Sequence, residues 1–275
     1  MKTRQIAFIG GGNMARSLIA GLISDGCEPA NIHVSDPHEH QRQSLQEAFS
    51  VNTTSSNTQV LQGADVVVLA VKPQILRQVI EEIADSINKQ PLLMVSIVAG
   101  IRIDTIQNWL GGPAPLVRTM PNTPAMVQTG ATGLFANREV SDEQRELAES
   151  IMRAVGVALW LDDEELIDAV TALSGSGPAY FFLVMEAMIN AGQSLGLSAE
   201  VARLLTLQTA LGAARLAIES DADPATLRQR VTSPGGTTER AIASLRDAQL
   251  EQLFRNALTA ARDRAREISD QLGDT

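Results

Sequence analysis

Phe8-Ile9-Gly10-Gly11-Gly12-Asn13-Met14-Ala15 decides the fold. This G-x-G-x-x-A stretch follows an apolar run of strand length, Gln5–Gly10, and opens a helical one, Met14–Ser24. It therefore reads as the turn joining the first strand of a doubly wound sheet to its helix. Gly10 serves the tight turn, Gly12 lets backbone approach a pyrophosphate, and Ala15 permits close helix–strand packing. The free N–H groups and the positive dipole end of the helix start would then receive phosphates. Asp36 ends the next strand, 24 residues beyond Gly12, where an acid bonds an adenosine ribose 2′-OH and favours NADH. Ser35, His38, His40 and Arg42 beside it suit a 2′-phosphate instead, and Asp36 before Pro37 also reads as a turn residue. On these residues the choice between NADH and NADPH stays open.

Further strands are expected at Ile32–Ser35, Val66–Ala70, Leu92–Ile97, Leu116–Thr119, Gly130–Phe135 and Val157–Leu161, as a parallel sheet covered by helices. Helical periodicity fits His40–Phe49, Ile75–Ile87, Ile103–Leu110 and Asp142–Val155, with Ser141 as N-cap of the last. From Leu166 to Leu272 the chain reads as helix, with breaks at 175–178, 196, 220–224 and 233–236. The fold class is therefore an α/β Rossmann-like domain over residues 1–162 followed by an all-helical domain over 163–275. Ala179–Ala191 and Val201–Ile218 are apolar around much of their circumference, which calls for cover by a second subunit. The final 270–275 are expected to fray.

Hydrophobic residues make up 44% of the 275 and charged ones 20%, so this is an ordinary globular composition. A net charge of −10 leaves no basic stripe for phosphates and excludes a nucleic-acid partner. The lone Cys27 excludes an internal disulfide and structural zinc, and points to a reducing, cytoplasmic setting. Neither a leader nor a membrane-length apolar run is expected, since Val66–Val71 is only strand-sized.

Of 22 cationic residues only Lys2, Lys72 and Lys89 are lysines, and all three lie in the first domain with every histidine and the cysteine. Ala70-Val71-Lys72-Pro73 leaves a strand at the carboxyl edge of the sheet, where ligands of doubly wound folds sit. Lys72 reads either as a cofactor contact or as a plain surface residue. Arg118–Pro124 leaves another strand; its Asn122 either orients a nicotinamide carboxamide or belongs to a rigid turn. In the helical half, Thr171–Tyr180 carries two glycines and a proline, a kink or a place where a ligand meets backbone. Val231-Thr-Ser-Pro-Gly-Gly-Thr-Thr-Glu-Arg240 opens a helix behind two glycines, with exposed N–H groups and the hydroxyls of Ser233, Thr237 and Thr238. That density of donors exceeds what a cap needs and suits a carboxylate.

Five motifs in this order, most specifically Val231–Ile242, resemble the pyrroline-5-carboxylate reductase family, from the first strand to about Leu258. The resemblance implies reduction of 1-pyrroline-5-carboxylate to proline by NADPH, with NADH also accepted, an oxidoreductase activity on a CH–NH group. It also implies a dimerising helical domain, dimers assembled five to a decamer, and an active site between domains completed by the partner. Carried over by position, Gly10, Gly12, Asn13, Met14, Asn57, Ala70, Val71, Lys72, Pro73 and Asn122 become cofactor contacts, beside Ser35 and Asp36. Ser233, Gly236, Thr237 and Thr238 become contacts to the substrate carboxylate and ring nitrogen, with Thr171 and Ser176 nearby.

The chemistry agrees. Hydride addition to a carbonyl leaves an alkoxide that needs a strong proton donor, whereas a protonated imine is already the electrophile. A helical domain without Lys or His permits imine reduction with a hydroxyl, expected from Thr238, at the nitrogen. The β-hydroxyacid dehydrogenases share this domain plan, but their catalytic lysine should follow a glycine-rich segment of the second domain. Gly175–Leu183 contains none. A non-catalytic nucleotide sensor would not need the hydroxyl-rich 233–238 stretch.

Overall fold

The computed structural model describes residues 3–90 and 92–273. Contacts divide them into two units: one comprises the residues up to Ser176 and those from Ala261 on, the other Gly177–Ala260.

The first unit is built on β1 (Ile6–Ile9), β2 (Ile32–Ser35), β3 (Asn52–Thr54), β4 (Val66–Leu69), β5 (Leu93–Ser96), β6 (Leu116–Met120), β7 (Gly130–Ala136) and β8 (Gly156–Trp160). They form one sheet in the order β3-β2-β1-β4-β5-β6-β7-β8. The first six run parallel in the doubly wound order. Ile6 and Phe8 of β1 point into one core with Ala15, Leu18 and Ile151, and Ala7 and Ile9 into a second with Leu76, Ile80 and Ile106. Burial on both faces is why β1, β4 and β5 read as continuous apolar runs rather than alternating ones.

The expected all-parallel sheet needs one correction, because β7 runs antiparallel to β6 and carries β8 with it. The link from Met120 to Gly130 is too short for a crossover, which takes about a dozen residues. The strand β3 was not expected: Asn52-Thr53-Thr54 is a polar edge with no apolar signal.

Helices α1 (Asn13–Ser24), α2 (Glu39–Phe49), α3 (Asn57–Val60), α4 (Pro73–Lys89), α5 (Ile103–Leu110), α6 (Asp142–Arg153) and α7 (Leu166–Val170) accompany the sheet. Ser141 closes α6 with a full capping box, its hydroxyl accepting the Gln144 N–H while the Gln144 side chain returns to the Ser141 N–H.

The contact boundary falls later than the expected 162/163, for a physical reason. Ile167 of α7 is buried, and Arg118 of β6 pairs with Glu164 at 2.9 Å and with Asp168 at 3.7 Å. Arg118 and Asp168 are both almost fully buried, and unpairing such a charge costs about 3–5 kcal/mol, so α7 stays with the sheet.

The second unit holds α8 (Gly177–Ser194), α9 (Ala199–Glu219), α10 (Pro224–Arg230), α11 (Thr237–Asp247) and the first part of α12 (Leu250–Gly273). The later part of α12 belongs to the first unit. Its Arg266 stands 3.8 Å from Asp168, Asp270 3.6 Å from Arg102, Ile268 lies over Gly100, and Leu272 packs on the second core. The expected fraying of 270–275 is therefore corrected as far as Gly273; Asp274 and Thr275 lie outside the described residues.

The expectation that no segment is long and apolar enough for a membrane is also corrected. By length and composition alone, Leu166–Ser194 and Ala199–Glu219 pass that test. Small residues between the larger apolar ones break up the uninterrupted runs that the reading looked for. Phe181, Phe182, Leu204 and Leu216 are exposed on one protomer, an apolar surface that needs cover.

Candidate active site

Gly10 lies between three strand ends. Its φ is +97°, and a Cβ there would stand 2.5 Å from the Ala70 carbonyl oxygen, so only glycine fits. Its N–H donates to Ser35 O at 2.8 Å, while the Ala70 N–H donates to Ile9 O at 2.8 Å. Gly12 differs. It is the N-cap of α1 with φ −67°, and a Cβ there would meet nothing within 4 Å. The first α1 amide to find a backbone partner is that of Arg16, and no side chain caps the helix. The amides of Asn13, Met14 and Ala15 thus have no hydrogen-bond partner among the described residues, and with the open space at Gly12 they make a cradle that fits a dinucleotide pyrophosphate.

Asp36 is buried, and its carboxylate accepts the Gly11 N–H through Oδ2 and the His38 N–H through Oδ1, both at 2.9 Å. It therefore serves the turn after β2 and steadies the glycine loop. Arg42 donates to the carbonyls of Asp36 and Pro37 rather than pairing with the carboxylate. Ser35 Oγ donates to Asn57 Oδ1 at 2.7 Å, and Asn57 Nδ2 donates to Glu82 at 2.8 Å. The sheet order and these bonds bring Gly10, Gly12, Asn13, Met14, Ser35, Asp36 and Asn57 to one edge with Ala70, Val71, Lys72 and Pro73. Lys72 is exposed at the N-cap of α4, and Pro73 occupies the first turn where its missing N–H costs nothing.

Asn122, expected either to orient a nicotinamide carboxamide or to belong to a rigid turn, has its side chain bonded within the chain. It is buried, its Oδ1 accepts the Ala131 N–H at 2.9 Å, and its Nδ2 donates to Ser174 O at 3.0 Å. The interruption expected near Gly175 is a π-helical turn over Thr171–Gly175 followed by a bend at Ser176, whose N–H reaches Thr171 O at 2.8 Å. Gly175 makes room for Met120, whose Cε would stand 2.8 Å from a Cβ. Asn122 thus takes up a carbonyl of the widened turn. Asn122→Ala should lower unfolding free energy by about 2 kcal/mol, since two main-chain groups lose their partner; a denaturation midpoint equal to wild type would remove this role. Thr171, expected near the substrate, spends its hydroxyl proton on Ile167 O at 2.8 Å.

In the second unit the 233–238 turn has the expected shape. Gly235 has φ +70°, and a Cβ on Gly236 would stand 2.9 Å from Ser233 O. Gly236 is the N-cap of α11 without a side-chain cap, its own N–H donating to Ser233 O at 3.0 Å. The first α11 amide bonded back to the chain is that of Arg240, so the Thr237, Thr238 and Glu239 amides are open. Ser56, Ser141, Ser198 and Asp223 close α3, α6, α9 and α10 by accepting such an amide. A glycine cap leaves those donors for a ligand.

Two features escaped the reading of the chain. One is the Arg118 ion-pair network, whose acids lie more than 40 residues away in sequence. The other is Glu239, whose carboxylate accepts the Gly235 N–H at 2.8 Å; the spacing of Gly236 and Glu239, that of a capping box, could have found it. Burial pushes the Cys27 thiol up, so it stays protonated and is no nucleophile.

Known proteins resemble this chain along nearly its whole length. Residues 164–268 match the family model described as pyrroline-5-carboxylate reductase dimerisation, and residues 5–100 one described as NADP oxidoreductase, coenzyme F420-dependent. A pyrroline-5-carboxylate reductase of Pseudomonas aeruginosa is 54% identical over 99% of this chain and 100% of its own. The structure of such a reductase from Coxiella burnetii superposes with a TM-score of 0.94 at 50% identity, covering 97% of this chain and 99% of that one. One from Plasmodium falciparum with NADP bound gives 0.85 at 29% identity, covering 98% and 99%. With a relative this similar along its whole length, the chain belongs to the pyrroline-5-carboxylate reductase family.

Proposed function

We propose that this protein reduces the C=N bond of 1-pyrroline-5-carboxylate with NAD(P)H to give proline, the last step of proline biosynthesis. The observation that carries this reading is the glycine-capped start of α11, where the Thr237, Thr238 and Glu239 amides are free and the hydroxyls of Ser233, Thr237 and Thr238 stand on the same turn. Amides at a helix start hold a carboxylate; hydroxyls serve a ring nitrogen. In the first unit, Gly12 and the α1 amides hold the cofactor pyrophosphate, with the 70–73 segment along its path. When bound, the reduced nicotinamide supplies the hydride. The chain's own part is to fix the imine by its carboxylate and to give its nitrogen a hydrogen bond, without a strong general acid. The absence of Lys and His from residues 163–275 fits that economy.

The proposal places the enzyme in the cytoplasm as a homo-oligomer of dimers, five to a decamer, with neither nucleic acid nor membrane as partner. The dimerisation model spanning the apolar helices α8 and α9 supports self-association. NADPH and NADH absorbance should fall with pyrroline-5-carboxylate, and NADP+ or NAD+ offered with 3-hydroxyisobutyrate should give no rise in absorbance. Turnover of the hydroxyacid alone would transfer the chain to the dehydrogenase reading, and sedimentation velocity reads the assembly.

A further inference from the structure

The start of α11 is held by an acid inside the helix itself. In a capping box the residue at the third helical position returns its side chain to the N-cap amide. Here that amide is taken, since the Gly236 N–H donates to Ser233 O at 3.0 Å. Glu239, the third residue of α11, reaches one residue further and accepts the Gly235 N–H at 2.8 Å. Gly235 is in the left-handed region at φ +70°, and the 2.9 Å between an added Gly236 Cβ and Ser233 O excludes a capping side chain at Gly236. Nothing else on the turn takes over the work of a cap. Together with the Gly236–Ser233 bond, Glu239 closes the turn and leaves the Thr237 and Thr238 amides open.

We infer that Glu239 is a positioning residue for the substrate carboxylate: by tethering Gly235 it keeps the 233–238 turn in the shape that presents the Thr237 and Thr238 donors. This rests on the reading that α11 receives that carboxylate. Glu239 also brings a negative charge to the end of the helix where the substrate's own negative charge must bind. Tether and repulsion have opposite signs, and the tether outweighs the repulsion because a hydrogen bond to a charged acceptor is stronger than Coulomb energy between solvated charges.

Glu239→Ala and Glu239→Gln in the full-length protein separate the two effects, since glutamine keeps the acceptor oxygen and loses the charge. Glu239→Ala should raise KM for pyrroline-5-carboxylate about ten-fold, the size of one hydrogen bond to a charged group, with kcat changed far less and the Kd for NADPH unchanged. Glu239→Gln should bring KM back to the wild-type value or below. An unchanged KM in Glu239→Ala makes Glu239 an ordinary first-turn acid and overturns the inference. So does a Glu239→Gln variant as impaired as Glu239→Ala. If wild type itself fails to reduce pyrroline-5-carboxylate, the parent reading falls, a result distinct from either of these. A circular dichroism spectrum and thermal melt equal to wild type check that the variants are folded.

Discussion

Gly12→Val should abolish NADPH binding while leaving the protein folded. The expectation follows from the contrast between two glycines of one turn. At Gly10 an added Cβ would stand 2.5 Å from the Ala70 carbonyl oxygen at a φ of +97°, so any substitution there breaks the contact between β1 and β4 and unfolds the edge before it reports on a ligand. At Gly12 the same atom would meet nothing within 4 Å at a φ of −67°, which any residue adopts. The protein does not require glycine at that place; a ligand approaching the α1 amides does. Valine fills the space above those amides, and the affinity for NADPH should fall at least about 100-fold, or some 2.7 kcal/mol. The cost to the fold is the poorer N-cap, about 1 kcal/mol. Equilibrium titration with NADPH, read beside a thermal melt, checks both halves. Wild-type affinity in the variant would remove the pyrophosphate from this turn, and a collapsed Tm would show that Gly12 is needed by the chain after all.

Legibility in the sequence followed the range of the forces involved. β1, β4 and β5 are short apolar runs buried on both sides, and the helical periodicity of Ile103–Leu110 matches the bounds of α5. These are local signals. β3 has none, because Asn52, Thr53 and Thr54 form a strand only by pairing with β2. The antiparallel turn into β7 was readable in principle from the length of the Met120–Gly130 link, a feature that strand propensity does not contain. The glycine turn came from a spacing rule with a mechanical basis, and the structure has Gly10 in the tight turn and Gly12 at the N-cap of α1. The partners of Asn122 carry no such signal: its amide bonds to Ala131 and Ser174, and the second of these lies 52 residues further along the chain. Long-range bonds of this kind, like those between Arg118 and the acids of 164–168, depend on the fold being known first.

Thr238→Ala should lower kcat about 100-fold, in the range seen when one preorganised donor to a reacting centre is removed. Among the hydroxyls assigned to the substrate, those of Thr171 and Thr238 differ in what the chain already asks of them. Thr171 donates to Ile167 O at 2.8 Å, as threonines inside helices commonly do, and its proton is spent. Thr238, the second residue of α11, is exposed, with no hydrogen-bond partner for its hydroxyl among the described residues. It contributes nothing to the fold through that group. Alanine is the better helix former, so the variant should be at least as stable as wild type, by a few tenths of a kcal/mol. A fall in rate would then report on the reaction alone. The NADPH Kd should not move, because the cofactor amides are those of α1. Thr238→Ser keeps the hydroxyl and should recover most of the rate; a methyl-dependent effect would leave serine as slow as alanine. An unchanged kcat/KM for pyrroline-5-carboxylate in Thr238→Ala would mean that the imine nitrogen finds its hydrogen bond elsewhere, with Ser233 and Thr237 the remaining hydroxyls on the turn. Those two would then be the next variants to compare against the same substrate.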